Sequence, residues 1–174
     1  MKILSPHPAA LPVDELLKQC QVTTGRTSGP GGQHRNKVET AVTIEHTPTD
    51  INGSAGERRS QAHNRAMALF RLRVNLAVQV RCTVVMPYQP TDLWRSRCNK
   101  AGRVRVGPEH DDLPAMLAEA IDVIAACEYD VKAAAEQLAC TPTQLIKLIV
   151  RKHTAIGIIN NARMERGMQP LRRA

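Results

Sequence analysis

From Thr40 to His46 the chain alternates small or apolar residues with polar ones, Thr-Ala-Val-Thr-Ile-Glu-His. A period of two is the signature of a half-buried strand. Gln21-Val22-Thr23-Thr24 is also β-prone. Thr47 to Gly53 is turn chemistry, predicting a hairpin into a short third strand. The period then changes to that of a helix. Between Ala55 and Arg81, residues Ala62, Ala66, Leu69, Phe70, Leu76, Ala77 and Val80 fall on one predicted apolar stripe. Arg73 lies inside this stripe, so its charged end must snorkel or the helix must bend. A short helix is expected from Leu11 to Cys20, with Pro12 near its start and Asp14 and Glu15 in its first turn. These elements define an α+β unit, a small sheet covered by one long helix.

The remainder reads as helical. Asp112 is placed to cap a helix whose apolar face is Met116, Leu117, Ala120, Ile121 and Ile124. Asp130 caps a second, Val131 to Leu138. Thr141-Pro142-Thr143-Gln144 has the form of a capping box opening a third, to about Arg151. A fourth runs from Thr154 to Arg166 and stops at Gly167. Between the two parts, Thr83-Val84-Val85-Met86-Pro87 and the residues around Pro90 read as a connector. Arg103-Val104-Arg105-Val106 alternates as a strand or an extended arm. The expected organisation is thus 1–82, a basic connector 83–110, and an all-α unit 111–174.

Charge sharpens this division. The 174 residues carry a formal net charge of +8, which favours a polyanionic partner over a neutral metabolite. Residues 109–150 invert the balance, with 2 basic and 8 acidic side chains. An acidic insert in a basic chain reads as a separate structural unit. The aromatics are only Phe70, Tyr88, Trp94 and Tyr129, too few for a platform that stacks single-stranded bases. An RNA partner would therefore be held through phosphate, shape and backbone contacts.

The five cysteines, Cys20, Cys82, Cys98, Cys127 and Cys140, form no C-x-x-C pair and suit reduced thiols. His46, His63, Cys82 and Cys98 do not have the spacing of a compact zinc site, and neither a metal nor a cofactor is expected. Met1 to Leu17 lacks the apolar run of a signal peptide, and a monomer of the cytoplasm without membrane contact is the expectation.

The densest local signal is Arg26-Thr27-Ser28-Gly29-Pro30-Gly31-Gly32-Gln33-His34-Arg35-Asn36-Lys37. Every residue from Gly29 to Gly32 is glycine or proline, so backbone restriction shapes the loop. Basic residues flank a single amide, as suits bare backbone pressed against a polyanion.

This run resembles the catalytic GGQ motif of class I peptide-chain release factors and of the related ribosome-rescue hydrolases. Ala41-Val42-x-Ile44-x-His46-x-Pro48-Thr49 and Arg59-Ser60-Gln61-x-x-Asn64 resemble the downstream signature of the same domain. Three ordered blocks, over roughly residues 15–81, are far more specific than a lone Gly-Gly-Gln. One departure is Asp50, where the family commonly has glycine, which implies an altered hairpin.

The resemblance implies hydrolysis of the ester joining a nascent peptide to tRNA, with Gly31, Gly32 and Gln33 catalytic. The Gln33 backbone N–H is the implied donor to the developing negative charge, and its side chain shapes the water pocket. A methyltransferase acting on the Gln33 amide is an implied partner. The other implied partners are the ribosome at the peptidyl-transferase centre of its large subunit, rRNA and peptidyl-tRNA. Arg26, Ser28, His34, Arg35, Asn36, Lys37, Arg58, Arg59, Gln61 and Arg65 are the implied nucleic-acid contacts. Ser60, Gln61 and Asn64 are expected to start the long helix and to brace the loop from behind.

Full release factors carry a stop-codon-reading domain and a helical domain before the catalytic unit, whereas about 20 residues precede the loop in this sequence. The expectation is therefore release without a stop codon, in rescue of stalled ribosomes. Two alternatives stay open, a hydrolase of free peptidyl-tRNA and a non-catalytic RNA- or ribosome-binding regulator. In the all-α part, Ala133-Ala134-x-x-x-Leu138-x-x-Thr141-x-x-x-Leu145 resembles a helix-turn-helix, with Lys147, Arg151 and Lys152 on or just after its second helix.

Overall fold

The computed structural model describes residues 2–3, 6–26 and 39–172. Along the chain come β1 (Lys2–Ile3), a 3-10 turn (Pro8–Ala10), α1 (Val13–Leu17), β2 (Cys20–Gly25), β3 (Ala41–His46), β4 (Ile51–Ala55) and α2 (Gln61–Gln79). There follow β5 (Arg81–Cys82), α3 (Asp92–Arg97), α4 (Leu113–Ala126), α5 (Val131–Gln137), α6 (Pro142–Ile149) and α7 (His153–Met164). The fold is α+β, as the periodicities predict. It divides into two compact units, residues 8–76 and residues 1–7 with 77–174.

In the first unit an antiparallel sheet of order β2-β3-β4 is covered by α2. Register aligns Val22, Ile44 and Gly53 in one row, and Thr24, Val42 and Ala55 in the next. Val42, Ile44 and His46 on the central strand point into the core. The covering helix comes close because Gly53 lacks a side chain: a Cβ there would lie 2.2 Å from the Leu72 nitrogen and 2.4 Å from the Ala68 oxygen.

That approach decides which face of α2 is buried. Asn64, Ala68, Leu72 and Leu76, each four residues apart, are fully enclosed. Ala62 and Ala66, expected on the apolar stripe, are exposed instead. Arg73 is half-buried, and its Nε donates to the Ala9 carbonyl at 3.1 Å. The carbonyls of edge strand β4 are covered by helix side chains, Asn52 by the Asn75 amide at 2.8 Å and Ser54 by Arg71 at 2.7 Å. An exposed strand edge is thereby blunted.

In the second unit, α4 is buried around nearly its whole circumference, from Leu113 through Ile124. A helix apolar on all sides belongs at the centre of a helical core. Asp112, expected to cap α4, makes no side-chain cap; its carboxylate pairs with Arg97 at 2.6 Å instead. Asp130 does cap α5, accepting from Lys132 N–H at 2.8 Å. Thr141 caps α6 through the Gln144 N–H, but the box is half formed. The Thr141 N–H donates to Gly102 and the Gln144 amide oxygen accepts from Val104, because the extended segment beside α6 reaches both first. The helix α7 ends at Met164, short of the expected Arg166, and Gly167 follows in the left-handed region at φ +70°.

Where the sequence suggests a connector, residues 92–106 pack into this second unit. Trp94 is 1 % exposed, and its indole N–H donates to the Leu138 carbonyl at 2.8 Å. Val104 and Val106 are buried while Arg103 and Arg105 face outward, so the alternation is that of an extended segment with one covered side. No helix among the described residues is long and apolar enough to cross a membrane.

Candidate functional site

The glycine-rich run leaves the end of β2 and rejoins the chain before β3. Residues 27–38, which include Ser28, Gly31, Gly32, Gln33, His34, Arg35, Asn36 and Lys37, lie outside the described residues. The frame around them is well defined. Gly25 of β2 pairs with Ala41 of β3, so the two ends of the run are brought together by the sheet. Arg26 Nε stands 3.8 Å from a Glu39 carboxylate oxygen, and the Thr24 hydroxyl donates to the same carboxylate at 3.5 Å.

The returning strand is pinned from the other side by the start of α2. Asn64, fully buried, donates its amide to the carbonyls of Thr40 at 2.7 Å and Arg58 at 2.8 Å, and its oxygen accepts from the Arg58 N–H at 3.0 Å. The Gln61 amide donates to the Glu39 carbonyl at 2.9 Å. Ser60 begins the helix, its hydroxyl accepting from the His63 N–H at 3.4 Å. One buried amide thus satisfies three backbone groups that an apolar side chain would strand. Three short blocks distant in sequence meet here because strand and helix ends share one corner of the unit.

Around this corner Arg58, Arg59 and Arg65 are exposed, and none has a carboxylate partner among the described residues. With Arg26 they form a basic rim at the N-terminus of α2, where backbone N–H groups already favour an anion. Sequence reasoning missed Glu39 and Thr40. Glu39 ties Arg26, Thr24 and Gln61 together, and its only sequence signal is a lone acid at the end of a basic run.

His46 closes the far end of the same strand. Its ring nitrogens face the Thr49 hydroxyl at 2.7 Å and the Gln19 amide oxygen at 3.1 Å, and burial holds its pKa below the usual histidine range. The neutral ring therefore serves as a structural link. The β3–β4 hairpin forms with Asp50 at φ 55°, the left-handed conformation that explains a glycine preference at this position.

In the second unit, His7, Cys82 and Asp122 bring one potential ligand atom each within 4.8 Å of one another, and all three are buried. The set is divided against itself as a metal site. Asp122 is engaged by Arg81 at 2.9 Å and by the Cys82 N–H at 3.1 Å, and burial pushes the Cys82 thiol up to about 11. These three residues are better described as a buried polar cluster beside the Arg81–Asp122 pair.

Residues 13–88 match the family model of the RF-1 domain, and the matched segment includes Gly31-Gly32-Gln33. The match extends beyond the first compact unit into residues 77–88. Among similar proteins, peptide chain release factor 2 of Paramagnetospirillum magneticum is 48% identical over 58 residues, 33% of this chain and 16% of that protein. Peptide chain release factor 1 of Acidiphilium cryptum is 54% identical over 56 residues, 32% and 16% of the two chains. The mitochondrial peptide chain release factor 1-like protein of Rattus norvegicus is 39% identical over 71 residues, 41% and 19%. The matched segment spans only 16% to 19% of the length of these relatives.

Proposed function

We propose that the chain hydrolyses the ester of peptidyl-tRNA on the ribosome without reading a stop codon, releasing nascent chains from stalled ribosomes. The observation that supports this most is the RF-1 match over 13–88, which contains Gly31-Gly32-Gln33. That motif is joined to a corner held by Asn64 and Gln61.

In the proposed reaction a water oxygen bonds to the ester carbonyl carbon, the bond from that carbon to the ribose oxygen breaks, and a proton passes to the ribose oxygen. Negative charge grows on the carbonyl oxygen and then on the leaving oxygen. A backbone N–H held against that charge lowers the barrier, and loss of such a donor costs about 2.7–4 kcal/mol elsewhere. Gln33 supplies this N–H in the proposal, with Gly31 and Gly32 allowing close approach. No acid–base pair is assigned; the ribosome and the terminal ribose of the tRNA complete the site. Arg26, Ser28, His34, Arg35, Asn36, Lys37, Arg58, Arg59, Gln61 and Arg65 meet rRNA and tRNA, and the Gln33 amide is the position for a methyltransferase. The cytoplasm is the proposed compartment.

Peptide release from ribosomes holding peptidyl-tRNA on a truncated mRNA tests this directly. Wild type is expected to release, and Gln33→Pro and Gly32→Ala to lose release. Activity on free peptidyl-tRNA without ribosomes would favour a solution hydrolase. Ribosome binding without release by wild type would leave a binder.

A further inference from the structure

The second unit treats its cations in two ways. Arg81 is matched by Asp122, Arg95 by Asp92, Arg97 by Asp112 and Arg166 by Glu128. Arg166 also stacks on the Tyr129 ring, 4.5 Å from its centroid, and Arg163 is spent on the carbonyls of Tyr129 and Gln169. Arg103, Arg105 and Lys147 are exposed and have no such partner among the described residues.

These unmatched cations are brought together by the fold. The Val104 N–H donates to the Gln144 side chain at 3.3 Å, and Arg151 donates to the Val106 carbonyl. The extended segment 103–106 therefore runs beside α6. Gln144 and Lys147, three residues apart, share one side of α6, and Arg151 follows in the turn just after the helix ends at Ile149. Gln144 and Arg151 hold the arm on either side of Arg105, and Lys147 lies between them in sequence. Val104 and Val106 are buried, which turns Arg103 and Arg105 outward.

Like charges on one face raise the energy of the folded state, and no carboxylate among the described residues pairs with these three. A polyanion does. The helix on which they sit is the second of the α5–α6 pair, joined by the short turn 138–141, with α4 packed against both. That order and packing resemble a helix-turn-helix, in which the second helix faces nucleic acid. Thr141 and Thr143, exposed at its start, add hydroxyls suited to phosphate.

We propose that the seam between residues 103–106 and α6 is an RNA-docking surface that contacts the phosphate backbone through Arg103, Arg105 and Lys147. RNA is chosen because of the reading of the first unit as ribosome-acting, on which this inference rests. The surface has no exposed aromatic for stacking, so shape and phosphate contacts carry the binding.

The test is the affinity of the full chain for a labelled RNA hairpin and for purified ribosomes across a salt series. Arg105→Glu/Lys147→Glu is compared with Lys18→Glu/Lys132→Glu, which changes net charge equally at residues that are not part of the seam. The seam variant is expected to bind at least about tenfold more weakly and with a shallower salt slope, as lost phosphate contacts require. The control is expected to change less than about threefold. Unchanged melting temperatures establish that both variants are folded.

Equal losses in the two variants, or no loss at the seam, overturn the proposal. Tighter binding of the seam to a DNA hairpin of the same sequence, or to polyglutamate, reassigns the surface and overturns the RNA inference. The measurement does not require hydrolysis. Seam-dependent RNA binding by a wild type that releases no peptide would sink the hydrolase reading alone.

Discussion

Gly53 lies directly under the backbone of Leu72: a Cβ added to it would stand 2.2 Å from the Leu72 nitrogen and 2.7 Å from its Cα. The obstructing atoms are helix backbone, so no rotamer change relieves the contact. Gly53→Ala must lift α2 from the sheet and loosen the row formed with Ile44 and Val22. Overpacking of this kind costs about 1–3 kcal/mol, and a backbone clash belongs at the upper end. Denaturant unfolding should show a lower midpoint. Peptide release should fall with it, since Asn64 rides on the same helix.

Asn64 makes a sharper test of the corner. Asn64→Leu keeps the volume roughly constant while leaving the Thr40 and Arg58 carbonyls and the Arg58 N–H without their partner. Stranding a buried polar group costs about 1–3 kcal/mol, and more than one is affected, so a loss of about 3 kcal/mol is expected. Gln61→Ala removes one exposed bond to Glu39 and should cost under about 1 kcal/mol. Comparable losses for the two, read by thermal unfolding, would contradict the corner as described.

Much of this corner is legible in the sequence because its elements are local. Alternation over 40–46 depends only on neighbours in the strand, and β3 appears at Ala41–His46. The face of α2 is not local. A period of 3.6 permits several stripes, and the choice of Asn64, Ala68 and Leu72 is made by Gly53 on another element. A polar residue at the centre of a buried stripe also hides the signal, since Asn64 scores against burial until its three bonds are known. Trp94 follows the same logic: its basic neighbours do not say whether it is buried, and the acceptor that its indole finds, the Leu138 carbonyl, is 44 residues away in sequence.

Asp50 pays for its left-handed conformation in the turn after β3, at φ 55°. Asp50→Gly removes the Cβ contact that disfavours this region, against a gain in unfolded-state freedom. Aspartate tolerates the region better than most residues, so the net gain should be modest, about 0.5–1 kcal/mol. Its N–H bond to the His46 carbonyl, 2.9 Å, is retained by glycine. Melting temperature should rise without a change in release rate. A decrease would show that the Asp50 side chain holds the turn.

The buried cluster in the second unit sets a pH dependence with two opposed parts. Burial lowers His7 to about 4 from the usual 6.5, so between those values the unfolded chain takes up a proton that the folded chain refuses. Its contribution is lost as pH falls through this window. Asp122 is the reverse: burial, partly offset by Arg81, raises it to about 6 from 3.8. Between these values the folded chain holds the proton, so stability from this group grows as pH falls. Each effect is about 3 kcal/mol by linkage, and together they flatten the wild-type profile from pH 6 to pH 4. Asp122→Asn removes one of them. It also leaves Arg81 without its carboxylate, a loss present at every pH. Its melting temperature should therefore drop more steeply than that of wild type on acidification from pH 6 to pH 4, beyond the constant offset. Parallel profiles for the two proteins would show that Asp122 does not take up a proton in the folded state over that range.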